Sequence, residues 1–320
     1  MGSDDFRRRP DDIFPAGVAG VDQRFLQLAS GLRVRIVEAG VGNPKPTVLV
    51  PGWGCTAWVF HETLLPLAAS GFHAIAVELK GQGMSDMPSG AHEYTIASMR
   101  DNLLEIVDAL EVGPVGLVGH SMGAAIAANA SAVAPDRVTG LVLGGPVGFA
   151  GVPGMGMFRA LSPPAVVPVL PALATRTTVR MMLNVVDGPS RTQSQQDVDE
   201  FYAPTRQAGY IASLRHLLHS FRWSEPFPKL TVPYMRILGG RDVLSPPTGK
   251  LGDDGREFRK IVIQNAGHLM FAEAAPTVNS ALIEFFGSRA APYITNENEQ
   301  TRHEGKREKA DCFPPEADSP

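Results

Sequence analysis

Three residue types that nucleophilic acyl transfer requires each follow an apolar run in this chain. Ser121 lies in Gly119-His120-Ser121-Met122-Gly123, after Val115 to Val118 and before the small residues Ala124, Ala125, Ala127, Ala128 and Ala130. An apolar run, a Gly-x-Ser-x-Gly turn and a helix-forming stretch predict a sharp strand-to-helix turn that presents the hydroxyl at the sheet's edge. Gly119 and Gly123 let the strand and helix backbones approach closely. The helix start aims N–H groups at negative charge forming beside it. A serine hydroxyl is a weak nucleophile without a base, and the base needs an orienting partner. His268, behind Gly267 and the run Lys260 to Gln264, is the candidate base. Asp242, behind Val232 to Leu238 and Gly239-Gly240, is the candidate orienting group. It would accept the imidazole N–H, fix the tautomer and stabilise the imidazolium. It can also form an Asx turn before Ser245-Pro246-Pro247.

Attack on a carbonyl creates an oxyanion, and positioned donors are often the largest catalytic contribution. The N–H of Met122, the residue after Ser121, is one candidate donor. The N–H of Trp53, in Pro51-Gly52-Trp53-Gly54, is the second, because the glycines allow close approach. A packing role for Trp53 in a Gly-rich turn is the alternative.

Rigid elements must carry these residues. Alternation over Phe25 to Leu28 and Leu32 to Glu38, around Ser30-Gly31, predicts a hairpin. Thr47 to Val50 and His73 to Leu79 read as strands, His61 to Ser70 as a helix. Thr95 to Leu110 reads as an amphipathic helix with Met99, Leu103, Ile106 and Leu110 on one face. Val138 to Gly144, Val232 to Leu238 and Lys260 to Gln264 are further strands, and Thr277 to Phe286 is a closing helix. Strands alternating with helices predict an α/β class: a doubly wound, mostly parallel sheet with helices on both faces. In such sheets the site lies at the carboxyl ends of the strands. Trp53, Ser121, Asp242 and His268 each follow a strand end.

The pattern changes at Pro146. To about Phe227 prolines and methionines are frequent, helical pieces occur at Thr177 to Val186, Gln195 to Tyr202 and Ala208 to Phe221, and no strand is evident. This predicts a helical cap at 146–227 inserted into a core of 23–145 and 228–290. Residues 1–22 read as a flexible leader. Residues 291–320, charged and polar with late prolines, read as a disordered tail. The cap's apolar residues, Met157, Leu161, Leu173, Met181 and Met182 among them, are expected to pack on the core or line an apolar pocket. Gly148, Gly151, Gly154 and Gly156 would let its entrance move as a lid.

A chain of 320 residues with 44% hydrophobic and 19% charged content excludes global disorder and supports a large core. Net charge is -4 and the body carries no long basic stripe, which argues against nucleic acid and anionic membranes as partners. Arg7, Arg8 and Arg9 read as a solvated cluster. The apolar stretches are broken by Pro and Gly, so no membrane span is expected. Met1 to Gly20 shows no signal-peptide core. Cys55 and Cys312 are expected to be free thiols in a reducing, cytoplasmic setting. His216 and His219, at i, i+3, lack a third ligand and read as a helix face, not a metal site. Gly81-Gln82-Gly83 lacks the flanks of a dinucleotide loop. No cofactor is expected and no oligomeric state is assigned.

Five motifs in this order resemble the α/β-hydrolase fold superfamily. They are Pro51-Gly52-Trp53-Gly54, Glu78-Leu79-Lys80-Gly81-Gln82-Gly83-Met84-Ser85-Asp86, Gly119 to Gly123, Gly240-Arg241-Asp242 and Gly267-His268. The resemblance covers about Phe25 to Phe286. It points to the branch of capped esterases, lactonases, C–C bond hydrolases and cofactor-free haloperoxidases. It implies that Ser121, Asp242 and His268 form a catalytic triad and that the Trp53 and Met122 amides form the oxyanion hole. Relatives often carry His at Pro51 and Asp-x-Arg-Gly at Glu78 to Gly81. The first departure alters the bracing of the oxyanion loop. The second replaces one acid–base pair by another and keeps the loop's support. Serine at 121 argues against the haloalkane dehalogenase and epoxide hydrolase branches, which resemble this chain but use a carboxylate there. Tyr202 and Tyr210 are therefore read as packing or pocket residues, and the His120 ring as packing beneath the site.

The expected function is hydrolysis of a small carboxylic ester or lactone with a bulky hydrophobic group, through an acyl-enzyme. The same residues would serve a C–C bond hydrolase of vinylogous diketones or a perhydrolase. A substrate-binding arginine in the cap would favour C–C cleavage, and Arg176, Arg180 and Arg206 are available. A non-catalytic receptor on the same fold is the third reading, since fold alone does not fix function.

Overall fold

A computed structural model of the chain describes residues 13–149, 152, 155–188, 191–221, 224, 226–247 and 257–288. The chain divides into a unit ending at Phe286, which holds the sheet, and a second from Gly287 to Pro320. The tail expected at 291–320, Cys312 and the Arg7 to Arg9 cluster lie outside the described residues.

Eight strands form one sheet: β1 (Val21–Gln27), β2 (Arg33–Ala39), β3 (Lys45–Val50), β4 (Phe72–Val77), β5 (Val115–His120), β6 (Val138–Gly144), β7 (Tyr234–Gly239) and β8 (Glu257–Ile263). Their order is β1-β2-β4-β3-β5-β6-β7-β8. β1 and β2 pair antiparallel, as do β2 and β4; every pairing from β4 to β8 is parallel. The sheet is thus mostly parallel, with the expected hairpin at one edge. The hairpin starts earlier than the alternation alone placed it, at Val21.

Period-2 alternation divides the core into two layers. Val48, Val50, Ile75, Val77, Leu117, Leu141 and Leu143 face one side, where they join a cluster with Met99, Leu103 and Ile106 of α2 (Ile96–Leu110) and the alanines of α3 (Met122–Val133). Leu49, Ala74, Ala76, Val118, Val142 and Ile237 face the other. There they pack with Leu64 and Leu67 of α1 (His61–Ala69) and with Val278, Leu282 and Phe285 of α10 (Ala275–Gly287). Helices therefore cover both faces. α2 starts where the Thr95 hydroxyl accepts the Ser98 N–H, a cap that stabilises by about 1 kcal/mol. Each fully buried leucine on its inner face adds about 1.5–3 kcal/mol.

Residues 13–22 are not the loose leader expected of 1–22. Ile13 and Phe14 are buried, the Phe14 N–H donates to Glu200 Oε1 at 2.9 Å, and the Phe14 ring meets Trp58 edge-on at 5.3 Å. Two large apolar side chains outweigh the charged and proline-rich context that made the segment look unstructured. Residues 1–12 lie outside the described residues.

Between β6 and β7 the described residues form α4 (Met155–Ala160), α5 (Leu170–Leu173), α6 (Arg176–Val186), α7 (Gln195–Tyr202) and α8 (Tyr210–Ser220). An isolated bridge joins Gly148 to Ser224. The apolar residues of α4 to α6 do not all turn inward. Met157, Leu161, Leu173, Met181 and Met182 are exposed, while Leu183 is buried with Val179 and Val186 beside it. Arg176 and Arg180 hold α6 against α7 through Asp199 and Gln195, which leaves Met181 and Met182 on the outer side. Between β8 and α10, Met270 to Glu273 form α9. No helix among the described residues is long and apolar enough to cross a membrane.

Candidate active site

Ser121 sits between β5 and α3 with φ 57° and ψ -123°. A non-glycine residue in this region costs on the order of 1–3 kcal/mol and persists only where its surroundings over-determine it. Here they do. The Ser121 N–H donates to the Gly144 carbonyl at 2.8 Å, and its own carbonyl accepts from Ala124 and Val147. The flanking glycines are required by contact: a Cβ on Gly119 would lie 2.4 Å from Ala124 Cα, and one on Gly123 would lie 2.3 Å from the Val50 carbonyl oxygen.

The loops after β7 and β8 bring Asp242 and His268 to the same point. His268 Nε2 is 2.8 Å from Ser121 Oγ, and His268 Nδ1 is 2.8 Å from Asp242 Oδ2. All three residues are buried. The other Asp242 oxygen accepts the N–H groups of Leu244 and Ser245 at 2.8 and 2.9 Å. Asp242 therefore makes the Asx turn and orients His268 at once. Burial works to raise its carboxyl, but the His268 imidazole and these donors outweigh it and hold it below the ordinary carboxylate value. An ionised Asp242 keeps the Nδ1–H tautomer, leaving the Nε2 lone pair to accept the Ser121 proton.

His120 packs beneath this pair as expected, its ring 4.8 Å from that of His268. Its Nε2–H donates to the His268 carbonyl at 2.9 Å. Burial, reinforced by His268, drives its pKa down to about 3, so it stays neutral.

The loop after β3 abuts the serine. A Cβ on Gly52 would lie 2.6 Å from Ser121 Cβ and 3.1 Å from its Oγ. Trp53 follows on this loop and Met122 opens α3; among the described residues neither amide donates to a backbone carbonyl. Amides free of the helical ladder at a helix start are available to an anion. The loop is braced from three sides. Gln82 Nε2–H donates to the Gly52 carbonyl at 2.8 Å, the Trp53 indole N–H to the Leu214 carbonyl at 2.9 Å, and the Tyr210 hydroxyl to the Gly54 carbonyl at 3.3 Å.

Glu78 and Lys80 do not pair with each other. Glu78 is fully buried and accepts from Arg35, from Ala57 N–H and from Met84 N–H, while Lys80 reaches Glu93 and Ser98. The loop keeps its support through separate partners. Breaking the buried Arg35–Glu78 pair on one side would cost about 3–5 kcal/mol.

Other singled-out residues take structural roles. His216 stacks on Tyr94 at 5.5 Å and His219 bonds Ser162 at 3.0 Å. No group of side chains able to hold a metal occurs among the described residues. Cys55 is a free buried thiol, pushed up to about 12 by burial and so kept neutral. Arg176 lies over the Tyr202 ring at 4.6 Å. Two residues that bear on the site carried no sequence signal. Leu214 acts through its carbonyl, and Glu273, five residues after His268, accepts backbone N–H groups on both sides of that histidine.

The sequence model of the Alpha/beta hydrolase family matches residues 47–281. A 2-hydroxy-6-oxo-2,4-heptadienoate hydrolase of Pseudomonas putida is 38% identical over 121 residues, 38% of this chain and 44% of that protein. The match thus spans under half of that relative's length. The dihydrolipoyllysine-residue acetyltransferase component of the acetoin cleaving system of Pseudomonas putida is 29% identical over 270 residues, 80% of this chain and 67% of that protein. Among solved structures, Cfl2 from Burkholderia cenocepacia superposes with a TM-score of 0.72 at 21% identity, covering 83% of this chain and 96% of its own. That likeness concerns the fold.

Proposed function

This chain belongs to the alpha/beta hydrolase family, and we propose that it is a serine hydrolase cleaving a carboxylic ester or lactone with a bulky apolar group. One observation carries the reading: the unbroken chain Ser121 Oγ, His268 Nε2, His268 Nδ1 and Asp242 Oδ2, with both links at 2.8 Å. Ser121 attacks the carbonyl carbon while His268 takes its proton. The oxyanion is met by the Trp53 and Met122 amides. His268 then gives the proton to the leaving alcohol, leaving an acyl-Ser121. Water, deprotonated by His268, releases the acid and restores the serine. Asp242 orients His268 throughout. No step calls for a metal or organic cofactor. Residues 146–227 act as the cap. This is supported by the bonds from α8 to the Trp53 loop and from the end of α6 to the His268 loop. Apolar surroundings support an apolar substrate: Met122 and Val147 are buried, and Trp53, Phe149 and Leu244 pack on the same cluster.

C–C bond cleavage with the same residues is the second reading, favoured by the similarity to the heptadienoate hydrolase. Against it, two of the three arginines named as candidates, Arg176, Arg180 and Arg206, are engaged on the α7 side. Arg176 bonds Asp199, and Arg180 bonds Gln193 and Gln195.

A chain-length panel of p-nitrophenyl esters, several aromatic lactones and a vinylogous diketone would be assayed with wild type, Ser121→Ala and His268→Ala. Ester or lactone turnover lost in both folded variants is the expected result. Turnover of the diketone alone would establish the second reading. Full activity in Ser121→Ala would overturn both.

A further inference from the structure

Three consecutive N–H groups around His268 are all taken. Gly267 N–H donates to Glu273 Oε2 at 2.8 Å and Leu269 N–H to Glu273 Oε1 at 3.0 Å. His268 N–H itself donates to the Val186 carbonyl at the end of α6, at 2.7 Å. Glu273 Oε2 also accepts the Gly188 N–H at 2.8 Å. One carboxylate therefore holds both neighbours of His268 and the chain leaving α6. The two strands of this junction interlock. A Cβ on Gly267 would lie 2.3 Å from the Gly188 nitrogen, and one on Gly188 would lie 2.5 Å from the Gly267 nitrogen. The end of α6 and the His268 loop cannot move independently.

Between them sits Asp187, whose side chain is 3% exposed. Among the described residues neither of its carboxyl oxygens has a hydrogen-bond partner, and Arg191 approaches no nearer than 3.9 Å because it pairs with Asp197 at 2.6 Å. The charged and titratable groups around Asp187 are Glu273 on α9, Arg191, and Asp197 on α7, with His61 facing the same Arg191–Asp197 pair. For a carboxyl group with no hydrogen-bond donor among the described residues, next to another carboxylate at a helix C-terminus, the charged form is disfavoured. Burial, then Glu273, pushes Asp187 up to about 7.

We propose that Glu273 is a positioning residue for His268, and that a proton on Asp187 is needed for Glu273 to hold the His268 loop against the end of α6. Above neutral pH a second negative charge appears beside Glu273, and repulsion between the two loosens the junction. His268 then drifts from Ser121. Misplacement of a catalytic group by about 1 Å is enough to lower a rate on the order of 100-fold. The proposal rests on the reading of His268 as the base.

A fluorophosphonate probe tests it without knowledge of the substrate. Ser121 Oγ attacks phosphorus, fluoride leaves, and the serine proton passes to His268. The maximal labelling rate and the half-saturating probe concentration would be measured from pH 5.5 to 9.5 for wild type, Glu273→Gln, Asp187→Asn and His268→Ala, each checked for folding by circular dichroism. In Glu273→Gln an amide N–H faces a backbone N–H that formerly had an acceptor. The maximal rate should fall about 10- to 100-fold, with half-saturation unchanged. Wild type should lose rate as the pH passes above about 7, whereas Asp187→Asn should match it at pH 6 and keep its rate at pH 9. Wild-type labelling in Glu273→Gln, or the same alkaline fall in Asp187→Asn, would overturn the proposal. Should Glu273→Gln not fold, Asp187→Asn alone decides. Undiminished labelling in His268→Ala would instead sink the reading of His268 as the base.

Discussion

The Trp53 indole N–H donates to the Leu214 carbonyl across 2.9 Å, joining the loop after β3 to α8. One turn earlier on α8, the Tyr210 hydroxyl reaches the Gly54 carbonyl. Both contacts fall on the loop whose Trp53 amide would meet the oxyanion. Trp53→Phe keeps an aromatic ring and the backbone amide but removes this tether together with the nitrogen-bearing ring of the indole. A hydrogen bond of this kind contributes about 1 kcal/mol. The expected outcome is a five- to tenfold lower kcat, roughly the effect of that energy on a rate, with KM little changed. Steady-state kinetics on the best ester checks it; an unaltered kcat would show that the indole only packs.

Asp242→Asn should keep the fold, because the amide oxygen can still serve Leu244 and Ser245. Its NH2 would then face His268 Nδ1 and demand an unprotonated nitrogen there. The other tautomer places a proton on Nε2, which can no longer accept from Ser121. A loss in kcat of about 10³–10⁴ is expected, with the native fold retained by circular dichroism. Retention of more than a tenth of the activity would remove Asp242 from the mechanism.

Gly52→Ala places a methyl 2.6 Å from Ser121 Cβ. Either the serine or the loop must shift, and both carry groups assigned to catalysis. The prediction is a kcat/KM lower by about 100-fold. Circular dichroism and ester hydrolysis measured side by side would separate this from unfolding. A variant as active as wild type would mean that the loop has slack.

His120 makes the protein acid-sensitive. Its pKa is near 6.5 when unfolded and about 3 when folded. Between those values the unfolded chain binds the extra proton, so stability rises with pH and is progressively lost as pH falls below about 6.5. Asp242 works in the same direction lower down. Its depressed folded value gives stability that is present above the ordinary carboxylate range and lost as pH falls through that value. His120→Gln should flatten the urea midpoint between pH 7 and pH 4.5 relative to wild type. Parallel curves for the two proteins would contradict the buried neutral histidine.

The α/β class, the two-sided sheet and the meeting of Ser121, Asp242 and His268 were all readable from residue pattern. Apolar period, glycine placement and strand-end position are local properties of the chain, and each is written within a few residues. Residues 13–22 look loose in sequence because the charged stretch before them, from Asp4 to Asp12, and the glycines within them outweigh Ile13 and Phe14 in a local reading, while burial of those two side chains depends on partners as distant as Glu200. Outward-facing Met181 and Met182 were misread for the same reason: the side of α6 that turns inward is chosen by contacts with α7. Glu273 shows the difference most clearly. In sequence it is an ordinary glutamate near a helix start, and nothing adjacent marks it. Its role exists because the fold brings Gly188, Gly267 and Leu269 N–H groups to one carboxylate. Local pattern specifies which residues bear chemistry and on which element each rides. Which backbone groups close around them follows from packing between segments tens of residues apart, where distance along the chain carries no information about distance in space.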